Sequence, residues 1–381
     1  MTAPPTTRRY DLDWLRVVGV GGVFFYHLAR VFDPYWWHVK NDHLYPLAGL
    51  ARLLVGEWMM PLLFLVSGAA AFYSLRSRDA RAFVTDRTAR LLVPFVVGVF
   101  THIAVQVYLE RLSFGQFSGS FLAFYPHYFD GIYGFGGNFA WMGLHLWFLP
   151  ALFAYSLLCL PLFLWLKSER GGRALGRLTA FLTTPGAIYS LALPVMLALI
   201  VLDPVGLPGN RDAGGWSMLI YPVFFIYGFI VVSNGALEER IRRDRRWSLA
   251  LAVLLSAVLT MLWLRGGEPQ YADRSFAVFT ALYGLIAWIW LLTLWGYVTH
   301  DLTMSTPFLR YANDAVLPFY ILHQTMMIAA AYYIVLWPVA DALKLLLIAL
   351  TTFAATLAIY HLAIRPFNPM RVLFGLRPKH G

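Results

Sequence analysis

Long runs of apolar residues fill most of this chain and are separated by short polar breaks. A run of about 20 apolar residues is long enough for one helix to cross a bilayer. Ten such runs occur, at about residues 12–32, 52–74, 91–110, 141–166, 186–203, 217–235, 248–264, 276–298, 316–337 and 342–364. The pattern predicts an all-α, polytopic membrane protein with about ten transmembrane helices.

These segments leave no room for a separate soluble domain. We therefore predict a membrane domain at 12–365, a cytoplasmic N-terminal tail at 1–11 and a basic cytoplasmic tail at 366–381. The first segment is too long for a signal-peptide core and carries Arg16 and His27, so we expect it to remain as a helix.

Composition and charge support this class. The 381 residues are 59% hydrophobic and 13% charged, against roughly 45–50% and 25% in ordinary soluble domains. The net charge of +10 would suit nucleic-acid binding, but its distribution follows membrane topology instead. The tails and even-numbered loops carry 21 Lys and Arg residues and the alternate loops carry 5. The positive-inside rule then predicts that both termini are cytoplasmic.

Arg16 and His27 lie in the first segment and project from one helix face, roughly 16 Å apart along the axis. Asp13 precedes Arg16 by three residues, a spacing at which the two side chains can pair. Ionisable groups in a membrane helix are costly and usually mark a functional site. The alternative is that Arg16 reaches to the headgroups and His27 is an interfacial residue.

Arg87 and Arg90 form an RxxR pair where the second loop enters the third segment. Two guanidinium groups three residues apart suit a phosphate-rich ligand. Anionic lipid headgroups have the same chemistry, so both interpretations stay open.

A second set of polar residues lies within or beside the apolar segments: Glu57, His145, Trp147 and His323. Each alone is more often a partner in an interhelical hydrogen bond than a catalytic group. His102 and His361 are interpreted as structural, and Cys159 as a free core thiol. No HExxH motif or other ligand-spaced histidine pair is present, so no metal site is predicted.

The polar residues divide into an inner group (Asp13, Arg16, Arg87, Arg90) and an outer group (His27, Glu57, His145). This division suits transfer of a group across the bilayer, from a phosphorylated donor inside to a hydroxyl acceptor outside. Two alternatives remain. The protein could be a transporter or flippase for an anionic or lipid-linked glycan, or a scaffold in a glycan-assembly complex.

Four motifs in order resemble the acyltransferase-3 family of integral membrane enzymes. They are the Arg-x10-His spacing of Arg16 and His27, the LDxLR lead-in at 12–16, FLVSG at 64–68 and the RxxR pair Arg87 and Arg90. Within that family the chain is most similar to the succinyltransferases of periplasmic glucans, through WHV at 37–39, HLWFL at 145–149 and FYILHQ at 319–324.

The resemblance implies transfer of an acetyl or succinyl group from cytoplasmic acyl-CoA to a hydroxyl of an extracytoplasmic glycan. His27 would act as general base, or else as a covalent acyl carrier. Arg16, oriented by Asp13, would line the donor channel. The nucleotide of the acyl-CoA would bind Arg87 and Arg90.

Weaker expectations concern the remaining residues. Glu57 or His145 would orient His27, and Trp147 would stack on the sugar; His323 is a further supporting candidate. The expected setting is the inner membrane of a prokaryote. The expected partners are a lipid bilayer and an extracytoplasmic carbohydrate acceptor. Glycan-synthesis proteins are possible further partners, and nucleic acid is not expected.

Overall fold

A computed structural model describes residues 8–202, 214–269 and 273–379, and these residues form helices and loops without named strands. The first α-helices are α1 Tyr10–Arg30, α2 Pro46–Gly56, α3 Met59–Ser77, α4 Ala80–Arg87, α5 Val93–Phe100, α6 His102–Ser113, α7 Phe121–His127, α8 Phe148–Leu158 and α9 Leu160–Lys167. They continue with α10 Glu169–Leu182, α11 Ala192–Leu202, α12 Tyr221–Val231, α13 Gly235–Gly266, α14 Phe276–Asp301, α15 Pro307–Ile334, α16 Asp341–Ile359 and α17 Asn368–Leu373. Parts of three predicted segments lie outside the described residues: 1–7, 203 and 380–381.

The predicted all-α membrane class is confirmed for the described residues. Each predicted apolar segment coincides with one or two helices. Six helical stretches are long and apolar enough to cross a membrane, and the number rises to eight if each of two bent helix pairs forms one span. Helix α12 is apolar but has only 11 residues, about 16 Å of helix. Helix α1 is not among those stretches either, so the predicted ten crossings stay a prediction.

Several helices break where the sequence weakens the backbone hydrogen-bond ladder. Residues Leu144–Leu158 and Leu160–Lys167 form one bent pair with an angle of 45°. Pro161 stands at the start of the second half, where its missing N–H and fixed φ are tolerated. Between α4 and α5 the chain makes a wider π-helical turn at Thr88–Leu92. Such turns are rare in proteins as a whole, and those that occur are often at functional sites.

Polar residues define where several helices begin. The side chain of Asp79 accepts a hydrogen bond from the backbone N–H of Ala82 at 2.7 Å, so α4 starts there. Asn234 accepts from the N–H of Ala236 at 2.9 Å at the start of α13. These side chains satisfy N–H groups that have no partner inside the helix.

The described residues belong to two compact units. The first consists of the described parts of Met1–Gly21, Glu57–Arg76 and Cys159–Asn313. The second is drawn from Gly22–Gly56, Ser77–Leu158 and Asp314–Gly381. Cys159, in the first unit, is a free, buried thiol, as predicted.

Two glycines let α3 and α12 approach closely in the first unit. A Cβ atom at Gly68 would lie 1.8 Å from the carbonyl oxygen of Phe225, and one at Gly228 would lie 1.8 Å from that of Leu65. Small residues at helix interfaces in membranes allow this kind of backbone approach. The two helices are therefore held together by reciprocal backbone contacts that tolerate no side chain.

Gly68→Ala is expected to destabilise the protein by about 3 kcal/mol, the upper end of the usual range for overpacking, because the methyl group would overlap a backbone carbonyl that cannot rotate away. The measurement is the thermal unfolding midpoint of the purified protein in detergent. The matched control is Gly176→Ala in α10, where an added Cβ meets no atom within 4 Å and the helix gains about 0.5–1 kcal/mol. Equal midpoints for the two variants would contradict the close approach.

Candidate active site

His27 and His323 form a hydrogen-bonded pair in the second unit. The ring nitrogens Nδ1 of His27 and Nε2 of His323 are 2.9 Å apart. The other nitrogen of His323, Nδ1, is 2.8 Å from the carbonyl oxygen of Tyr320. A carbonyl oxygen only accepts, so His323 carries its proton on Nδ1 and accepts at Nε2. His27 therefore donates from Nδ1 and keeps a lone pair on Nε2.

The other ring nitrogen of His27, Nε2, is the candidate for contact with a reacting group. Among the described residues, Nε2 of His27 forms no hydrogen bond, and the residue is only partly buried. The buried Trp37 ring lies nearly parallel to His27, with centroids 6.3 Å apart. The His145 ring stands perpendicular to it, also at 6.3 Å. Packing and one directed hydrogen bond thus fix the orientation of a neutral imidazole whose basic nitrogen is free.

His145 belongs to a second hydrogen-bonded chain. Its Nε2 donates to the carbonyl oxygen of Ile321 at 3.0 Å, so its Nδ1 must accept. The donor to Nδ1 is the amide nitrogen of Gln106, at 3.3 Å. The same nitrogen donates to the hydroxyl of Thr325 at 2.6 Å. His145 is therefore held by Gln106 and Ile321, and the side chain that hydrogen-bonds His27 is His323.

The chain continues from Gln106 to a buried carboxylate. The amide nitrogen of Gln324 donates to Oε1 of Gln106 at 3.1 Å and to Nε2 of His38 at 3.3 Å. Because Nε2 of His38 accepts, its Nδ1 carries the proton and donates to Glu110. All of these residues are buried. The donor and the acceptor of each hydrogen bond in this series are therefore assigned.

Glu110 ties this chain to the loop that follows α6. Its Oε2 also accepts from the hydroxyl of Tyr133 at 2.7 Å, and its Oε1 accepts from Arg111 at 2.9 Å. Arg111 donates in turn to Asn138 at 2.8 Å and to the carbonyl oxygen of Gly137 at 2.9 Å. The conformation of this glycine- and aromatic-rich loop is thus linked to buried polar groups.

The loop after α1 is held by a buried carboxylate as well. Asp33 is fully buried and accepts from Arg30 and Lys40, each at 2.9 Å. Burial lowers the pKa of the Lys40 ammonium, and the hydrogen bond to Asp33 opposes that shift. Arg30 also donates to the backbone carbonyl of Trp36. The loop that carries Trp36 and Trp37 is therefore anchored at both its charged and its backbone groups.

The predicted pair of Asp13 and Arg16 is present in the first unit. Nη1 of Arg16 lies 3.3 Å from the Asp13 carboxylate and 3.1 Å from the side-chain oxygen of Asn313. Asp13 is shared with Arg8, at 2.9 Å. Asn313 is a second partner that the sequence did not reveal. Arg16 is held in place but remains partly exposed.

Arg87 and Arg90 lie at the π-helical turn of the second unit. Arg87 covers the ring of Phe83, with its guanidinium carbon 5.0 Å from the ring centroid. Nε of Arg90 donates to the carbonyl oxygen of Gly375 at 3.4 Å, in the segment after α17. Since Arg90 lies within the wider turn, its position differs from the regular helical spacing that the sequence suggested. Both residues keep accessible surface.

Comparison with known proteins agrees with these motifs. A family described as an acyltransferase domain matches residues 9–361. The chain belongs to the acyltransferase-3 family. The predicted resemblance is confirmed, and the protein is a multi-pass membrane acyltransferase by family.

Several proteins named glucans biosynthesis protein C are similar to this acyltransferase. That of Salmonella paratyphi A is 21% identical over 350 residues, covering 88% of this chain and 86% of the relative. That of Salmonella schwarzengrund is 21% identical over 394 residues, covering 99% and 97%. That of Escherichia coli O81 is 21% identical over 348 residues. No solved structure matches the chain.

The structure gives a reason for one motif of the acyltransferase-3 family. The SG dipeptide that closes FLVSG ends at Gly68, where α3 meets α12 in backbone contact. Its physical role is helix packing in the first unit.

Glu57 and Trp147 stay predictions as supporting residues. Glu57 is fully buried at the break between α2 and α3. Trp147 ends a short 3₁₀ turn at Leu144–Trp147 and is half-buried. The expectation that His145 orients His27 also stays a prediction: its hydrogen bonds go to Gln106 and Ile321, and its contact with His27 is the perpendicular ring contact.

Sequence reasoning missed part of the acyltransferase's polar core. The structural interpretation of His102 stays a prediction; its Nδ1 lies 2.9 Å from the hydroxyl of Thr325, within the same polar core as Gln106, and Gln106 and Glu110 were not among the candidates. One signal was available: His102, Gln106 and Glu110 are each four residues apart. That spacing places polar groups along one side of an otherwise apolar helix.

Proposed function

We propose that this protein is an O-acyltransferase in which His27 acts as general base on a glycan hydroxyl. The observation that carries the proposal is the His27–His323 pair, which leaves Nε2 of His27 unprotonated and free. A base of this kind typically contributes roughly 10²–10⁴ in rate. In the reaction, the hydroxyl oxygen bonds to the acyl carbon, the C–S bond of the donor breaks, and His27 passes the proton to the leaving thiolate.

The proposed donor is acyl-CoA of the acetyl or succinyl class. Arg87 and Arg90 supply two accessible guanidinium groups for its phosphates. Arg16, fixed by Asp13 and Asn313, supplies a positive charge for the pantetheine path or for the developing oxyanion. No metal is required, because the leaving thiolate and the base account for both the electron pair and the proton.

The proposed acceptor is an extracytoplasmic glycan, in keeping with relatives named for glucan biosynthesis.

We further propose ten membrane crossings in a prokaryotic inner membrane, with both termini in the cytoplasm. The charge asymmetry between alternate loops supports that orientation.

The deciding experiment uses the purified protein in liposomes with labelled acyl-CoA inside and a glucan outside. Labelled acyl ester on the glucan is the expected result. Movement of unmodified glucan without ester formation would instead identify a transporter or flippase, and neither event would favour a scaffold. Omitting the glucan tests for a covalent relay, since an acyl-histidine would leave label on the protein.

Arg87→Ala and Arg90→Ala are each expected to raise the KM for acyl-CoA by about 10–100-fold with a smaller change in kcat. The reason is that a hydrogen bond to a charged group contributes about 1.5–3 kcal/mol. The measurement is initial rate against donor concentration.

Two controls sharpen this test of the donor site. Arg81→Ala, an exposed arginine on the same helix α4, should leave the KM unchanged. With an acyl-pantetheine donor, which lacks the nucleotide phosphates, the wild type and the variants should have the same KM. An equal KM shift for all three arginines would indicate general attraction of anions instead.

A further inference from the structure

Two aromatic rings of the second unit form an exposed face beside the candidate active site. Trp36 is 59% exposed and Phe114 is 43% exposed. Their rings are nearly parallel, with planes inclined by 12° and centroids 6.4 Å apart. Large aromatic side chains are usually buried, but both of these keep large accessible areas. This exposed pair of parallel rings is here called the Trp36–Phe114 platform.

The platform is connected to the proposed base by consecutive ring contacts. Trp36 lies 5.6 Å from His38, and His38 lies 5.5 Å from Trp37. Trp37 in turn stacks on His27. Trp37 is buried, whereas Trp36 is mostly exposed. A ligand bound at the platform would therefore lie next to the group that reacts at His27.

Polar groups that are themselves hydrogen-bonded surround the platform. Arg30 holds the backbone carbonyl of Trp36, and Arg30 is itself paired with the buried Asp33. Next to Phe114, the exposed Gln116 accepts from Arg111 at 2.8 Å. Flat aromatic faces bordered by planar amide and guanidinium groups suit a pyranose ring. The sugar's C–H groups pack on the electron-rich face and its hydroxyls reach the polar groups.

We propose that the Trp36–Phe114 platform is a binding subsite for a sugar unit of the acceptor glycan, one that neighbours the unit acylated at His27. The inference rests on the proposed acyltransfer to a glycan and adds that the preferred acceptor is an oligosaccharide. A single sugar can react at His27 but cannot occupy both positions at once.

The test compares acceptors of increasing length, from methyl glucoside to a gluco-oligosaccharide of six units, in the acylation assay. For the wild type, KM should fall as the acceptor lengthens. Trp36→Ala should raise the KM for the hexasaccharide about tenfold with little change in kcat, and leave methyl glucoside unaffected. Trp36→Phe, which keeps an aromatic face, should restore most of the difference.

The matched control is Trp141→Ala, another exposed tryptophan of the second unit, which should behave as wild type. Equal losses in the Trp36 and Trp141 variants, for all acceptors, would identify interfacial anchoring in lipid and overturn the subsite. A KM for the hexasaccharide that does not depend on Trp36 would overturn it too. If the wild type acylates no acceptor at all, the proposed function fails first.

A binding measurement covers the case in which the alanine variant does not fold. Titrating the wild type with the hexasaccharide, without donor, should change its tryptophan fluorescence saturably. The Trp36→Phe variant should show a smaller change at the same occupancy. An identical change in both proteins would show that the sugar binds away from Trp36.

Discussion

His27→Asn is expected to lower kcat for acyl transfer by about 10²–10⁴-fold, the range for loss of a positioned general base. Asparagine is chosen because its amide nitrogen can still donate to Nε2 of His323, as Nδ1 of His27 does in the wild type. The variant thus keeps the hydrogen bond and removes only the basic Nε2. Rates are measured in liposomes at saturating donor and acceptor. A kcat close to that of the wild type would remove His27 from the mechanism.

His323 provides the control for this result, because it is assigned a positioning role. In His323→Gln, the amide oxygen can accept from Nδ1 of His27 and preserve its tautomer, so most activity should remain. In His323→Leu, no acceptor is left and the proton of His27 can move to Nε2. The wrong tautomer can cost up to about 10⁴-fold in comparable histidine sites, so a loss of at least about tenfold is expected. Equal activity of the two variants would contradict the tautomer argument.

Glu110→Leu is expected to lower the free energy of unfolding by about 3 kcal/mol, the cost of removing one partner from a buried charged cluster. The substitution leaves the N–H of His38 and the hydroxyl of Tyr133 without their acceptor. The measurement is chemical unfolding in detergent, combined with hydrogen exchange of residues 130–140, which should become faster.

Two comparisons make the Glu110 result specific. Glu110→Gln keeps one acceptor oxygen and should lose less stability than the leucine variant. Glu239→Leu removes a carboxylate that pairs with Arg242 and Arg243 at the surface, where ion pairs contribute little. If the surface variant lost as much stability as Glu110→Leu, the buried chain would not be the source of the effect.

The helices could be predicted from the chain because their signal is local. Apolar runs of membrane length, with caps such as Asp79 and breaks such as Pro161, appear directly in the sequence. The number of crossings could not be predicted as well, since apolar composition does not distinguish a full span from the 11-residue helix α12. The π-helical turn at Thr88–Leu92 precedes Pro94, which has no N–H for the carbonyl of Arg90. The proline indicates a disturbed ladder there, but the sequence does not tell a widened turn from a kink or a helix end.

Some residues of the candidate site could be selected from the sequence, but most of the pairs that they form could not. The Arg16 and His27 spacing is local, and the Asp13–Arg16 pair followed from it. The contact between His27 and His323 joins positions 296 apart in the chain, and periodicity gives no information about such a pair. The Gln106–Gln324 contact, 218 positions apart, was missed for the same reason.

The reciprocal contact of Gly68 and Gly228 also bears on how this protein can diverge. Each glycine is required by the backbone of the opposite helix, and a backbone atom is present whatever the side chain there becomes. No second substitution can compensate for a lost glycine, so this constraint is independent of donor and acceptor. Trp36, by contrast, would be free to change whenever the glycan changes. At 21% identity to its relatives, a chain under these two kinds of selection would keep its helix packing long after its substrate had been exchanged.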